Sequence, residues 1–156
     1  MDMIRRTVLK GASATGVLAG LLAAGVLKPT LAYASDWNKA AFEAKDPDGA
    51  MKPLGLEAGS SNPGLTMKAP EIAENGAVVP IDVVSTIPNT TSLTIMVLKN
   101  ASPLSSHFTF ANGALADVAV RLKVGETSNI RAIAKADGKF YTVQKEVKVT
   151  VGGCGG

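Results

Sequence analysis

The residue best equipped for chemistry is Cys154, the only cysteine in the chain, in the terminal run Gly152-Gly153-Cys154-Gly155-Gly156. A thiolate is a soft nucleophile that forms, exchanges and releases sulfur–sulfur bonds. Two glycines on each side leave no Cβ to restrict the backbone, so the run predicts a flexible tether at a chain end. Five extended residues reach about 16–18 Å. A structural cysteine packs as a small apolar residue, and Cys154 has no apolar neighbour within two positions. A single cysteine also excludes an internal disulfide. The nearby terminal carboxylate disfavours a thiolate and Lys148 lies several residues away. The thiol is therefore expected to be little activated by its own chain.

Other chemistry is sparse. His107 is the only histidine, and no cysteine pair or carboxylate accompanies it at ligand spacing, so no metal site is predicted. Within Ser105–Ala111 it reads as a structural or exposed strand residue. A Cys154–His107 thiol–imidazole pair would need fixed geometry that a flexible tether does not supply. Asp46 and Asp48 in a Pro/Gly-rich stretch hint at calcium but fall well short of a full loop motif, and read as a solvated turn. No glycine-rich phosphate loop follows a strand. Trp37 reads as a packing anchor rather than a ligand-stacking surface. No catalytic residue, metal or cofactor is predicted in the body of the chain.

The front of the chain sets the expected compartment. Arg5 and Arg6, followed by Val8-Leu9-Lys10 and an apolar Gly/Ala-rich run from Gly11 to Leu27, have the layout of a twin-arginine export signal. Ala32 and Ala34 supply small residues for cleavage, which predicts a mature start at Ser35. The run is short for a retained span, which needs about 17–20 apolar residues. The expected organisation is a signal at 1–34, a β domain at 35–151 and an arm at 152–156. The chain holds 16 Lys+Arg and 13 Asp+Glu; without residues 1–34 it holds 12 of each. A formally neutral body without a basic, aromatic-interleaved stripe argues against nucleic-acid binding.

The arm must be mounted on something rigid. Asp36–Lys45 reads as a short helix capped by Ser35 or Asp36, with Trp37, Ala40, Ala41 and Ala44 along one stripe. Residues 46–64 read as loop. After that the hydrophobic period becomes two. Asn75-Gly76 predicts a hairpin between Met67–Glu74 and Ala77–Ile87. Val79, Ile81 and Val83 share a face. Thr91–Lys99 is apolar on both faces, with Leu93, Ile95 and Val97 on one and Met96 and Leu98 on the other. Such a strand is either central or covered on its outer side by a partner. Phe108 and Phe110 mark the next strand, and Val118, Val120, Leu122 and Val124 another. Asp137-Gly138 predicts a hairpin joining Asn129–Ala136 to Lys139–Val151. In the last strand Tyr141, Val143, Val147, Val149 and Val151 share a face. About seven short strands with turns between them predict an all-β, antiparallel, immunoglobulin-like sandwich with a short N-terminal helix. A barrel is the alternative.

Taken together, the Arg-Arg leader, the small β-sandwich and the terminal Gly-Gly-Cys-Gly-Gly resemble the SoxY family, the sulfur-carrier subunit of the periplasmic Sox sulfur-oxidation system. The segment Lys68–Pro80 (KAPEIAENGAVVP) is similar to that family's as well. The one departure is Val8, where such leaders often have Phe. The resemblance implies that Cys154 carries thiosulfonate or persulfide intermediates covalently during thiosulfate oxidation, with no other cofactor. It implies hinges at Gly152 and Gly153, and a slim tip at Gly155 and Gly156 that enters narrow active sites. It implies a carrier rather than an enzyme, paired with a SoxZ-like β-sandwich subunit as a heterodimer. The transient partners implied are a haem c loading enzyme, a manganese-dependent sulfohydrolase and a sulfane dehydrogenase. Export in the folded state would let a leaderless partner travel as a passenger to the periplasm, with no membrane attachment of the mature form. The residues alone leave open an exported structural sandwich cross-linked through Cys154, and a thiol enzyme.

Overall fold

The hydrophobic period of two, which begins beyond Gly64, becomes eight strands in two sheets in the computed structural model, which describes residues 37–150. The strands are β1 (Leu65–Lys68), β2 (Ile72–Ala73), β3 (Val79–Ser85), β4 (Thr90–Val97), β5 (Leu104–Thr109), β6 (Ala116–Leu122), β7 (Ser128–Ala136) and β8 (Lys139–Val149). One sheet has the order β1-β3-β6 and the other β2-β8-β7-β4-β5. The expected leader, with Arg5, Arg6, Ala32 and Ala34, and the arm from Gly152 to Gly156, lie outside the described residues.

The two sheets face each other because one side of each strand is apolar. Val79, Ile81 and Val83 of β3 meet Leu93, Ile95 and Val97 of β4, Ile130, Ala132 and Ala134 of β7, and Val147 of β8. All ten are fully buried. Alternation along a strand sends every second side chain to this layer. The fold is the expected all-β sandwich. Asp137-Gly138 makes the expected two-residue hairpin, with Ala136 opposite Lys139 and both turn residues at positive φ (49° and 74°), the pairing that the sheet's twist favours.

The stretch expected to be a loop from Asp46 to Gly64 is partly helical. Helix α1 (Lys39–Glu43) is followed by α2 (Pro47–Met51) and a 3₁₀ turn, Lys52–Leu54. Asp46 caps α2, its Oδ1 accepting the Gly49 N–H at 2.7 Å, and Pro47 supplies the pre-set φ of a first helical residue. Asp46 is thus a helix cap where a solvated turn was expected. Helix α1 is shorter than expected. Its cap is Asn38, whose Oδ1 accepts the Ala41 N–H at 3.1 Å and whose Nδ2 donates to the Pro53 carbonyl. Ala41 is buried and Ala40 is exposed. Trp37 is no packing anchor: it is 65% exposed, with its ring beside that of Phe42, centroids 5.7 Å apart.

These short helices explain the strand that is apolar on both faces. Ala41, Ala50, Met51 and Leu56 form a second apolar cluster with Met96 of β4, Leu104 of β5 and Ile133 of β7. The outer side of β4 is thus covered at Met96 by the chain's own N-terminal segment. No helix among the described residues is long and apolar enough to cross a membrane.

The expected Asn75-Gly76 hairpin is absent. β1 does pair antiparallel with β3, Leu65 opposite Ser85, but between them the chain crosses to the other sheet. There β2 pairs parallel with β8, Ile72 opposite Lys148. Asn75 makes an Asx turn, its Oδ1 accepting the Ala77 N–H at 2.9 Å. Gly76 is needed for a close approach rather than a left-handed turn. A Cβ there would run into the Val124 carbonyl oxygen and come within 2.9 Å of Val149 Cγ1.

Candidate functional site

The sandwich brings one element to the predicted arm. β8 is the longest strand, eleven residues, and it ends at Val149, five positions before Cys154. Its early part is paired with β7 from Ala136–Lys139 through Ser128–Val147. Past Val147 its backbone is held by other groups. The Lys148 N–H donates to the Glu71 carbonyl at 2.9 Å and the Thr150 N–H to the Ala73 carbonyl at 3.2 Å. The Val149 N–H donates to Thr127 Oγ1 at 3.0 Å. On the core face Val147 is buried, and Lys145 reaches the Ala69 carbonyl with its Nζ at 2.6 Å. The arm's root is therefore fastened to the loops at one end of the sandwich. The predicted site residues Gly152, Gly153, Cys154, Gly155 and Gly156 themselves lie outside the described residues.

His107 sits on the edge strand β5, opposite Thr94. Its Nδ1 is 2.8 Å from Thr94 Oγ1. Desolvation by burial holds its pKa below the ordinary 6.5, because a charged imidazolium is disfavoured away from water. This is a structural histidine, as expected. The register also separates it from the arm. His107 is level with Thr94, Ile133 and Thr142 on successive strands. It is thus three strands over and seven residues back from the end of β8, roughly 25 Å at ordinary strand spacings. Five residues of fully extended backbone span at most about 16–18 Å.

No cluster of three or more His, Cys, Asp or Glu able to hold a metal occurs among the described residues. The root residues Glu71, Ala73, Gly76 and Thr127 were not legible as site residues. Their partners are 22 to 77 positions away in sequence, and a two-residue strand shows no period.

The family model of the sulfur oxidation protein SoxY matches residues 53–154, well over half of the chain, and the match ends on Cys154. Among solved structures, the sulfur carrier protein SoxY from Chlorobium limicola f. thiosulfatophilum is 35% identical. That alignment covers 67% of this chain and 94% of the Chlorobium chain, with a TM-score of 0.60. An engineered protein aligns over 56% of this chain and 20% of its own at 13% identity and a TM-score of 0.40, too slight a likeness to bear on the fold. No curated protein matches the sequence. With the fold, the matched span and the 35% identity in agreement, this chain belongs to the SoxY family and has its role in sulfur oxidation.

Proposed function

We propose that the chain is a covalent carrier of sulfur intermediates, held as thiosulfonate or persulfide on Cys154 and presented to separate enzymes of thiosulfate oxidation. The observation that carries this reading is the placement of Cys154. It is the only cysteine, it closes the span matched to the SoxY family, and it follows a firmly held strand by five positions. A thiol so placed is a handle. Gly152 and Gly153 let it pivot, and Gly155 and Gly156 keep its tip thin enough for a recessed active site.

The chemistry asked of the handle is simple. Joining thiosulfate to the Cys154 thiol forms one S–S bond and releases one proton and two electrons, which a haem c partner accepts. Hydrolysis of the terminal sulfur–sulfonate bond by a manganese-dependent partner then yields sulfate and leaves a persulfide on Cys154. Such steps need no catalytic group on the carrier, and the chain acts as the enzymes' substrate rather than as an enzyme. Within this reading it works in the periplasm after twin-arginine export and pairs with a SoxZ-like subunit.

Intact mass of the protein from its native periplasm, before and after reduction, tests the reading. The expected result is a reducible adduct of added sulfur or thiosulfonate that maps to Cys154. A bare thiol, or only a symmetric Cys154 dimer, after exposure to thiosulfate and periplasmic extract would refute it. Gly153→Pro stiffens the arm by fixing φ and is expected to slow adduct turnover while leaving the sandwich unfolding transition unchanged.

A further inference from the structure

The ladder between β7 and β8 stops short of the end of β8. Ser128, the first residue of β7, lies opposite Val147. The next three amides, those of Lys148, Val149 and, just past the strand, Thr150, are nevertheless all occupied, and by a different set of acceptors. Lys148 and Thr150 point their N–H groups to the Glu71 and Ala73 carbonyls of the β2 segment. Val149, pointing the other way, finds a side chain where a β7 carbonyl would have been: Thr127 Oγ1 at 3.0 Å. The β2 segment is fixed in turn. Gly76 accepts the Val124 N–H at 2.7 Å and presses against the Val149 side chain with no Cβ between them. A strand of two residues contributes little stability by itself. Its position only at the final residues of β8 needs another reason.

We infer that Thr127 and the β2 segment form a clamp that fixes the root of the arm at Thr150 and so sets how far Cys154 reaches. This inference rests on the carrier reading for its purpose, but not for its test. With the clamp closed, four residues separate Thr150 from Cys154, an extended reach of about 13–14 Å. With it open, the next firm anchor is Val147, and seven residues give about 23–25 Å. The clamp therefore shortens the reach by about 10 Å. For an enzyme seated against the body, the local concentration of a tethered group falls roughly as the −3/2 power of tether length. The longer arm presents the thiol at about half the concentration. Thr127 is a positioning residue: it acts on Cys154 only through Val149 and the arm's root.

The experiment uses the full chain and compares Thr127→Val, which removes the acceptor, with Thr127→Ser, which keeps it. Amide hydrogen exchange is followed at Lys148, Val149 and Thr150, with Leu93 and Ile95 of β4 as reference. Loss of one hydrogen bond predicts up to about tenfold faster exchange at Val149 in T127V, smaller rises at Lys148 and Thr150, none at Leu93 and Ile95, and wild-type rates in T127S. In parallel, spin labels are placed on Cys154 and on Leu115→Cys. Leu115 is 84% exposed, in the loop joining β5 to β6. The long-distance edge of the label–label distribution should extend by up to about 10 Å in T127V and not in T127S. Unchanged exchange at Val149, an equal rise at the β4 amides, or an unchanged distance distribution would each overturn the clamp. None of these readouts involves sulfur loading. Failure of the wild-type chain to acquire an adduct would sink the carrier reading alone.

Discussion

Gly76 offers a sharp test of how the root end is built, because two kinds of glycine can be told apart by two substitutions. A turn glycine at positive φ tolerates Asn, which enters the left-handed region readily, better than Ala, for which that region costs about 1–2 kcal/mol. Gly138, at φ 74° with open space for 4 Å around the point where a Cβ would sit, is of that kind. Gly76 is of the other kind. Its obstacle is the Cβ itself, which would meet the Val124 carbonyl and the Val149 side chain. Relief requires displacing Val124, whose N–H donates to the Gly76 carbonyl at 2.7 Å, and Val124 is buried in the main core. Overpacking costs about 1–3 kcal/mol and a weakened hydrogen bond about 0.5–1.5 kcal/mol. The expected loss for Gly76→Ala is about 2–4 kcal/mol, and no less for Gly76→Asn. For a domain of this size that lowers Tm by roughly 8–16 °C. Thermal unfolding of G76A, G76N, G138A and G138N provides the comparison. The expected order places both Gly76 variants well below wild type, G138A slightly below it, and G138N near it. A G76N protein as stable as wild type would refute the close-approach argument and restore the simple turn reading.

Three further expectations concern the body of the chain. Met96→Ala should destabilise by about 2–5 kcal/mol, since Met96 is fully buried where α1 and α2 cover the sheet; urea unfolding measures it, and a loss below about 1 kcal/mol would mean that the helices do not pack there in solution. Asp46→Ala should cost about 1 kcal/mol through the lost cap of α2, with Asp46→Asn nearly neutral; calcium should shift the unfolding midpoint of neither the wild type nor the variants. His107 has a folded pKa below its unfolded value, so the unfolded state binds the proton more readily. Its contribution is fully present above pH 6.5 and is lost as pH falls through the lowered folded pKa. His107→Asn should reduce the fall in urea midpoint between pH 7.5 and pH 5, and an unchanged fall would show that burial does not hold the imidazole neutral.

Much of the sandwich is written in local pattern. Val79-Ile81-Val83 and Leu93-Ile95-Val97 alternate because one face of each strand is wet or separately covered, and the period shows without any knowledge of the partner strand. Asp137-Gly138 likewise carries its turn in its own two residues. What stayed hidden depends on distant partners. Asn75-Gly76 has the composition of a hairpin turn, yet Gly76 is dictated by Val124 and Val149, 48 and 73 positions away. Trp37 has the bulk of an anchor, but the covering cluster is built from Ala41, Ala50, Met51 and Leu56. Asp46-Pro47 is a helix start in plain sight, obscured by the surrounding Gly and Pro residues.

The same contrast applies to the candidate site. Cys154 and its glycines stand out in the sequence because a tether is proposed from what its residues lack, and composition alone suggests that; they lie outside the described residues. The root is the opposite case: it works by long-range fastening, and no single residue in it looks functional. A tethered group is only as well placed as the point from which it swings. If the handle were attached to a fraying strand end, its reach would be set by fraying, since terminal residues open most easily. Here three consecutive backbone amides at the end of β8 are held by Glu71, Thr127 and Ala73. The end of the strand is therefore held rather than left to fray. On the carrier reading, that hold, rather than the sandwich in general, is what this fold adds to the chemistry of one cysteine.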